Sequence, residues 1–329
     1  MDLSTTYLGL RLSHPLVPGA SPLTEELDTI RQLEDAGAAA VVLRSLFEEQ
    51  ITGEQMAAFK HIDSHEGFFG EALSYFPDTD VFSRGPDQYL EKLQRAKRAV
   101  DIPVVASLNG TTLGGWTDFA VRMQEAGADA LELNFYQPRA NTDVTGRDIE
   151  EGEVGILRAV KERVQIPLAV KLSSFYSAPA HFACELAAAG ADGLVIFNRF
   201  YQPDIDLEEL AVERRLRLSD SSELLPRLHW LALLSGRVQS SLAVTGGVHT
   251  SEDAIKAIMC GAHAVQMVSA LLKQGPAHLT EVRNGIAAWL EEHEYESLEQ
   301  MQGSMGLIHC PNPSAYFRAN YVEILESWE

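Results

Sequence analysis

One phrase recurs four times along the chain: a helix-like run, Ala-Gly or Cys-Gly, Ala, a variable residue and a short apolar segment. It reads EDAGAAAVVLRS at 34–45, QEAGADALELNF at 124–135, AAAGADGLVIFN at 187–198 and IMCGAHAVQMVS at 258–269. Each glycine falls where the end of a helix needs a left-handed residue, and each apolar run is too short for another helix. The repeat therefore predicts helices that are followed directly by strands.

A second phrase, with Ile-Pro before a strand, interleaves with the first. It reads DIPVVASLNG at 101–110 and QIPLAVKLSS at 165–174. Proline is tolerated at the start of a strand, where its missing N–H costs no ladder bond. The two phrases are two units apart, which gives about 32 residues per unit, the length of a strand, a crossover helix and two loops.

The strands of this pattern are apolar on both faces, as parallel strands covered by helices are. Eight of them alternating with helices favour an α/β fold, a closed (β/α)8 TIM barrel, over an open doubly wound sheet with edge strands to protect. The alternative is such an open sheet. The predicted strands are 15–18, 39–44, 103–108, 130–134, 167–172, 193–197, 241–245 and 264–268.

Three spans depart from the regular spacing. Residues 46–85 form an inserted loop or lid after the second strand, and residues 199–222 extend the loop after the sixth. Both follow the carboxyl ends of strands, where barrel enzymes build their active sites. Residues 294–329 have no strand period and are expected to pack as a helical tail of a single domain, 1–329.

The formal net charge of −21 gives a negative field that repels nucleic acid and anionic membrane surfaces. The chain lacks a signal peptide pattern and a long apolar run, so we expect a cytoplasmic protein. The cysteines Cys184, Cys260 and Cys310 are widely separated and lack the spacing of metal ligands. No disulfide framework and no metal site are therefore expected.

If the barrel forms, the residues that end its strands converge at one mouth. Thr-Gly-Gly at 245–247, followed by a Ser-Glu-Asp helix start, lets bare backbone amides approach an anion, and the segment after the eighth strand supplies more donors. A phosphate-bearing ligand is the natural interpretation, against plain turn glycines. The candidate binding residues are Ala20, Ser21, Arg44, Ser45, Asn109, Asn134, Lys171, Asn198, Thr245, Gly246, Gly247, Gln266, Ser269 and Ala270.

Lys171 ends an otherwise apolar strand, LAVKL, and is expected to point into the mouth. A snorkelling surface lysine is the unspecific alternative. Two functional interpretations remain, a Schiff-base lysine of an aldolase and a fixed cation beside a flavin, where positive charge stabilises the reduced anionic ring.

Eight segments match, in order and spacing, the landmarks of a known family: HPLVPGAS, LRSLFEE, SLNG, LELNFYQP, AVKLSSF, IFN, VTGGVHTSEDAIKAIMCGAHAVQMVSALLKQGP and LTEVRNGIAAWLEEHEY. The chain resembles the dihydroorotate dehydrogenases of pyrimidine metabolism over nearly its whole length, most specifically at 243–276. The resemblance implies an FMN-binding (β/α)8 barrel with the phosphate at Thr245, Gly246, Gly247, Ser269 and Ala270. It also implies that Asn134 and Lys171 face the flavin ring and that Asn198 lies between ring and substrate.

The chain departs from the family in the predicted substrate region. Gln137 stands where the family has a cysteine or serine that removes a proton from the substrate, and an amide cannot act as a general base. Arg139 stands at the family's substrate-gripping asparagine, and Arg44 replaces a lysine, which changes a point charge into a planar fork. Tyr136 and, in the inserted loop, His65 are candidate replacement acids or bases, although structural roles are the simpler interpretation.

These observations predict an FMN-dependent oxidoreductase that acts on a CH–CH group of a small substrate by hydride transfer to or from flavin N5. The substrate need not be dihydroorotate. The catalytic candidates are Lys171, Gln137 and Tyr136. The candidates for substrate contact are Arg139 and Asn198. The electron acceptor is unknown, and a homodimer is the assembly considered. The alternatives are an aldolase that uses Lys171 and a flavin-binding protein without turnover.

Overall fold

The computed structural model describes residues 1–48, 86–110, 112–136, 142–200, 204–213 and 216–327. An antiparallel hairpin of β1 (Thr5–Tyr7) and β2 (Leu10–Leu12) begins the chain. The barrel strands follow as β3 (Leu16–Pro18), β4 (Val41–Val42), β5 (Leu46–Phe47), β6 (Val104–Asn109), β7 (Ala130–Asn134), β8 (Leu168–Lys171), β9 (Gly193–Ile196), β12 (Ser241–Thr245) and β13 (Ala264–Met267). A second hairpin, β10 (Asp204–Asp206) with β11 (Ala211–Glu213), lies between β9 and β12.

The barrel strands are all parallel and run in the order β3-β13-β12-β9-β8-β7-β6-β4, with β5 pairing further along β6. The first and last strands of this order lie side by side, and the N–H of Ala39 bonds to the carbonyl of Leu16 at 3.2 Å across that seam. The sheet is therefore a nearly closed barrel. This confirms the predicted (β/α)8 fold, whereas an open sheet would leave these two strands apart.

Helices cover the outside of the barrel. They are α1 (Leu27–Asp35), α2 (Pro86–Ala99), α3 (Leu113–Glu125), α4 (Gly146–Lys161), α5 (Pro179–Ala188), α6 (Leu225–Leu234), α7 (Ser251–Met259), α8 (Ser269–Gln274), α9 (His278–Glu292), α10 (Leu298–Met301) and α11 (Pro313–Glu326). Short 3₁₀ turns occupy Pro22–Thr24, Ser221–Leu224 and Leu307–His309. In the described part of the chain, no helix has the length and apolar character needed to cross a membrane.

The repeated glycines end the helices as their positions predicted. Gly37, Gly127, Gly190 and Gly261 have φ values of 87°, 96°, 105° and 111°, in the left-handed region. Space is a second constraint at the last of them, because a Cβ on Gly261 would lie 2.3 Å from Ser235 Oγ. The repeat therefore marks four turns where a helix gives way to the next strand.

The variable residue of the repeat has a structural role at the lower end of the barrel, where the strands begin. Asp129 Oδ2 accepts the N–H of Val104 at 2.7 Å and the ammonium of Lys97 at 2.6 Å. Asp192 Oδ2 accepts the N–H of Leu168 at 2.8 Å and the ammonium of Lys161 at 2.6 Å. Each aspartate thus satisfies the backbone at the start of the neighbouring strand.

Histidines supply this acceptor for two other strands. His263 Nδ1 accepts the N–H of Leu242 at 3.1 Å, and His14 Nδ1 accepts the N–H of Leu16 at 3.2 Å. Burial lowers the pKa of both imidazoles, which keeps the neutral form that has a free acceptor nitrogen. His14 was not among the sequence predictions.

The N-terminal hairpin was also not predicted, and it covers the lower end of the barrel. Leu8 and Leu12 are buried against the small interior side chains of the strands, among them Ala130, Ala169 and Ala243. The N–H of Leu8 bonds to Ser241 Oγ at 3.1 Å. The hairpin therefore closes the lower end of the barrel, so that the interior can be reached from the upper end.

The three irregular spans contain the following elements. The predicted insertion 46–85 begins with β5 and Glu48, and its remainder lies outside the described residues. The long loop 199–222 contains the β10–β11 hairpin, whose side chains at Ile205, Leu207 and Leu210 are exposed. The tail 294–329 is helical at α10 and α11, as predicted.

Asp129→Ala is expected to lower the free energy of unfolding by about 1–3 kcal/mol, because it leaves the buried N–H of Val104 without its acceptor. Asp118→Ala is the matched control, since this exposed aspartate lies 3.9 Å from Arg163 and satisfies no strand amide. The control should change stability by less than about 0.5 kcal/mol. Urea unfolding measures both, and equal losses in the two variants would contradict the role given to Asp129.

Candidate active site

A cavity of about 210 Å³ lies at the upper end of the barrel, beside the carboxyl ends of β3, β8, β9, β12 and β13. Many of the residues predicted to bind a cofactor line it, although they are scattered in sequence. They are Ala20, Ser21, Lys171, Asn198, Thr245, Gly246, Gly247, Gln266 and Ser269.

The glycine pair after β12 gives the cavity a set of backbone donors. Gly246 and Gly247 have φ values of 86° and 83°, and a Cβ on Gly247 would lie 2.4 Å from the backbone nitrogen of Leu224. Within the described part of the chain, the amides of Gly246, Gly247 and Val248 have no hydrogen-bond acceptor. Backbone amides that have no acceptor and lie close together at a cavity wall are suited to bind an anionic group.

Arg227 of α6 lies behind the glycine pair. Its Nε donates to the carbonyl of Thr245 at 2.5 Å, its Nη1 donates to the carbonyl of Glu223, and the side chain is buried. Burial lowers the pKa of this guanidinium, which nonetheless remains a cation at neutral pH. The arginine both orients the turn at Gly246 and adds positive charge behind it, and sequence reasoning missed it.

The segment after the β10–β11 hairpin forms another wall. The N–H of Ser219 bonds to Ser269 Oγ at 3.1 Å, and Ser219 Oγ lies 3.1 Å from His249 Nε2. Lys273 Nζ donates to the carbonyl of Ser219 at 2.8 Å. Ser219, Leu216 and Leu218 line the cavity. None of these contacts was predicted, because they depend on how the long loop returns to the barrel.

Lys171 is buried at the floor of the cavity, as expected from its position at the end of β8. Its Nζ lies 3.3 Å from Glu132 Oε1 and 3.4 Å from Gln266 Oε1. Gln266 Nε2 donates to Glu132 Oε2 at 2.7 Å. A buried cation, a buried carboxylate and an amide are therefore joined in one cluster.

Two serines extend this cluster toward β4 and β5. Ser107 Oγ donates to Glu132 Oε1 at 3.4 Å, and Ser45 Oγ lies 2.7 Å from Ser107 Oγ. Ser45 is thus connected to the floor of the cavity through Ser107. Glu132 was not among the predicted residues, although an acid inside the apolar strand ALELN was a signal that could have identified it.

The three asparagines predicted for the site lie together. Asn198 Nδ2 donates to Asn134 Oδ1 at 2.8 Å, and Asn109 Nδ2 donates to the carbonyl oxygens of Asn134 and Tyr136 at 3.1 and 3.3 Å. Asn198 lines the cavity, whereas the other two stand behind it. Asn134 and Asn109 therefore hold the neighbouring loop and the amide of Asn198 in place.

Aromatic rings follow the three adjacent strands that end beside these asparagines. The rings of Tyr136 and Phe200 have their centroids 6.3 Å apart, and Phe175 meets Phe200 edge to face at 4.7 Å. Phe175 is 68% exposed, so this group forms an apolar rim at the mouth.

The remaining predicted residues are placed differently. Arg44 is half exposed, and its guanidinium lies 3.2 Å from Glu25 instead of lining the cavity. Ala270 is fully buried behind Ser269. Gln137, Arg139 and His65 lie outside the described residues.

Chemically, the cavity offers backbone donors at one side and a buried ammonium with two amide side chains at its centre. Ser21 Oγ, buried at the wall, has no hydrogen-bond partner within the described ranges. No group of three potential metal ligands occurs in those ranges either. The arrangement suits an organic ligand with an anionic end and a polar ring.

The family model for dihydroorotate dehydrogenase matches residues 2–290 of the chain. The chain is 28% identical over 310 residues to the catalytic subunit of dihydroorotate dehydrogenase B (NAD(+)) of Thermoplasma volcanium, which covers 92% of this chain and 98% of that protein. The corresponding subunit of Methanosarcina mazei is 28% identical over 308 residues, with 92% and 94% covered.

A relative with a different named substrate is subunit PreA of the NAD-dependent dihydropyrimidine dehydrogenase of Escherichia coli K12. It is 25% identical over 319 residues, with 92% of this chain and 76% of that protein covered. Both kinds of relative are oxidoreductases that act on CH–CH donors. The chain therefore belongs to the dihydroorotate dehydrogenase family.

Proposed function

We propose that the protein is an FMN-dependent oxidoreductase that acts on a CH–CH group of a small substrate. The observation that carries this proposal is a single cavity in which the acceptor-free amides of Gly246 and Gly247 and the buried cation of Lys171 occur together. Bound flavin supplies hydride exchange between its N5 and a substrate carbon.

The residues of the cavity fit FMN. The amides at 246–248 and the hydroxyl of Ser269, with Arg227 behind the glycines, suit the phosphate. Lys171 and Gln266 suit the polar edge of the ring, where positive charge stabilises the reduced, anionic form. One phosphate-binding turn favours FMN over a dinucleotide.

Asn198 and the aromatic rim suit the side of the ring where substrate binds. Asn198 is held by Asn134, so its amide presents a fixed orientation at low entropic cost. Tyr136, which follows β7, is our candidate proton donor, and Gln137 and Arg139 remain proposed substrate contacts. The phenol proton of Tyr136 suits reduction of a double bond, in which one substrate carbon gains a hydride and its neighbour gains a proton.

A pyrimidine-like ring is the substrate class that we favour, because both kinds of relative are named for such substrates. Dihydroorotate itself is less favoured, since Gln137 cannot remove a proton. Several relatives are named as subunits, so we propose that electrons reach an external acceptor through a partner protein. A homodimer remains the assembly considered.

The aldolase alternative is weakened by the surroundings of Lys171. Lys171 Nζ is held by Glu132 at 3.3 Å and by Gln266 at 3.4 Å, whereas attack on a carbonyl needs an amine that is free to approach it. A substrate adduct trapped by borohydride would support the aldolase. The other alternative, flavin binding without turnover, is favoured if no partner reoxidises the reduced flavin.

The purified protein is expected to be yellow and to contain one FMN per chain. Gly247→Ala should abolish FMN binding, because the added Cβ would meet the backbone of Leu224 at the proposed phosphate site. Gly275→Ala is the matched control, since Gly275 has φ 85° but no atom within 4 Å of its Cβ position. Flavin absorbance and fluorescence measure both. A colourless protein that takes up no added FMN would contradict the proposed function.

Lys171→Ala is expected to leave the barrel folded, to weaken FMN binding and to lower the reduction potential of the flavin, because the cation beside the reduced ring is lost. Lys256→Ala, which removes an exposed ammonium from helix α7 outside the cavity, serves as the control. Spectroscopic redox titration compares the midpoints. An unchanged midpoint in Lys171→Ala would show that this lysine does not contact the ring.

Oxidation of dihydroorotate is expected to be slow, because general base catalysis contributes about 10²–10⁴-fold and Gln137 cannot supply it. Gln137→Cys should recover the rate only in part, since Arg139 is unchanged. Rates of about 1–10³ per second in the unmodified protein would contradict this expectation. Tyr136→Phe in the same assay then tests whether the phenol acts as the base.

A further inference from the structure

Glu132 is a carboxylate in the interior of the barrel, only 1% exposed and flanked in β7 by the buried Leu131 and Leu133. A buried charge is strongly destabilising unless it is paired and hydrogen bonded. Its presence at this position therefore needs partners, and two of the three that the structure shows, Lys171 and Gln266, line the proposed flavin site, while the third is Ser107.

The contacts of Glu132 form a closed triangle with two residues that line the cavity. One carboxylate oxygen lies 3.3 Å from Lys171 Nζ, and the other accepts Gln266 Nε2 at 2.7 Å. The third side is the contact of 3.4 Å between Lys171 Nζ and Gln266 Oε1. Glu132 itself does not line the cavity and lies beneath the other two.

The triangle spans the barrel. Strands β7 and β8 are neighbours, but β13, which supplies Gln266, is four places from β7 in the strand order of the barrel. Gln266 therefore reaches across the interior to Glu132. A lysine side chain has a flexible four-carbon stem, and two fixed contacts remove most of that freedom.

We propose that Glu132 is a positioning residue of the flavin site. It holds Lys171 and Gln266 at the cavity, and its negative charge offsets the charge of Lys171, so a bound flavin would experience less positive potential than Lys171 alone would give. This inference rests on the proposed function, because it presumes flavin in the cavity.

The consequence is a lower reduction potential than an unpaired lysine would produce. A bound flavin would gain negative charge on reduction, so the nearby carboxylate of Glu132 would oppose reduction, while the ammonium of Lys171 would favour it. In Glu132→Gln, which keeps the size of the side chain and removes its charge, reduced flavin should bind more tightly relative to oxidised flavin. We expect the ratio of the affinity for reduced flavin to the affinity for oxidised flavin to rise about tenfold. This rise corresponds to an increase of about 30 mV in the midpoint potential of a two-electron couple.

The control is Glu153→Gln, the same substitution at another buried glutamate. Glu153 of α4 is 6% exposed and accepts the hydroxyl of Tyr176 at 2.7 Å, and it does not line the cavity. Its variant should leave the midpoint potential unchanged. Redox titration of the FMN-loaded proteins measures the midpoints, and thermal melting of the FMN-free proteins reports any general loss of stability.

A double variant tests whether the two charges act as a pair. Lys171→Met alone should lower the midpoint, Glu132→Gln alone should raise it, and the double variant should lie between them. A Glu132→Gln midpoint that is unchanged or lowered, or a rise equal to that of Glu153→Gln, would overturn the proposal.

Two further outcomes keep the test decisive. If Glu132→Gln does not fold, Glu132→Asp replaces it, because it keeps the charge but withdraws it from Lys171 by one methylene. A smaller rise in midpoint with several-fold weaker FMN binding then supports the proposal, and wild-type values for both overturn it. If the natural protein takes up no FMN at all, the proposed function itself fails, which distinguishes that failure from an unaltered midpoint in a yellow Glu132→Gln variant.

Discussion

The architecture depends on how amides at the start of four barrel strands, β3, β6, β8 and β12, find side-chain acceptors at the lower end. Asp129 and Asp192 each lie in the turn before a strand. Each accepts the amide of the neighbouring strand and an ammonium from the helix that precedes that neighbouring strand. His263 and His14 satisfy two further strands through Nδ1. An unsatisfied buried amide would cost about 1–3 kcal/mol, so these contacts fix where each strand begins.

Fixed strand starts determine which residues meet at the upper end. Asn134 pairs with Lys171 in register across β7 and β8, and Glu132 lies two residues earlier in β7, on the same face. A shift of one residue in either strand would exchange these side chains with leucine or valine. The polar cluster under the cavity is therefore a consequence of register that is set at the opposite end of the barrel.

Sequence reasoning succeeded where the signal was local. The glycines of the repeat, the eight strands and the Thr-Gly-Gly turn each follow from the backbone demands of a few neighbouring residues. It missed Glu132 and Arg227, because their partners come from distant parts of the chain and are known only when the barrel closes. Arg44 illustrates the same limit, since its pairing with Glu25 depends on the path of the first loop.

The N-terminal hairpin links the two ends of the chain. The N–H of Leu8 bonds to Ser241, and Thr5 Oγ1 donates to the carbonyl of His263 at 3.0 Å, more than two hundred residues away in sequence. β3, which follows the hairpin, pairs with β13. Because a ribosome makes a chain from its N-terminus towards its C-terminus, these residues are made more than two hundred residues before their partners exist. The hairpin thus reaches its final place only after β12 and β13 have been made, and the lower end of a nascent barrel stays open until then.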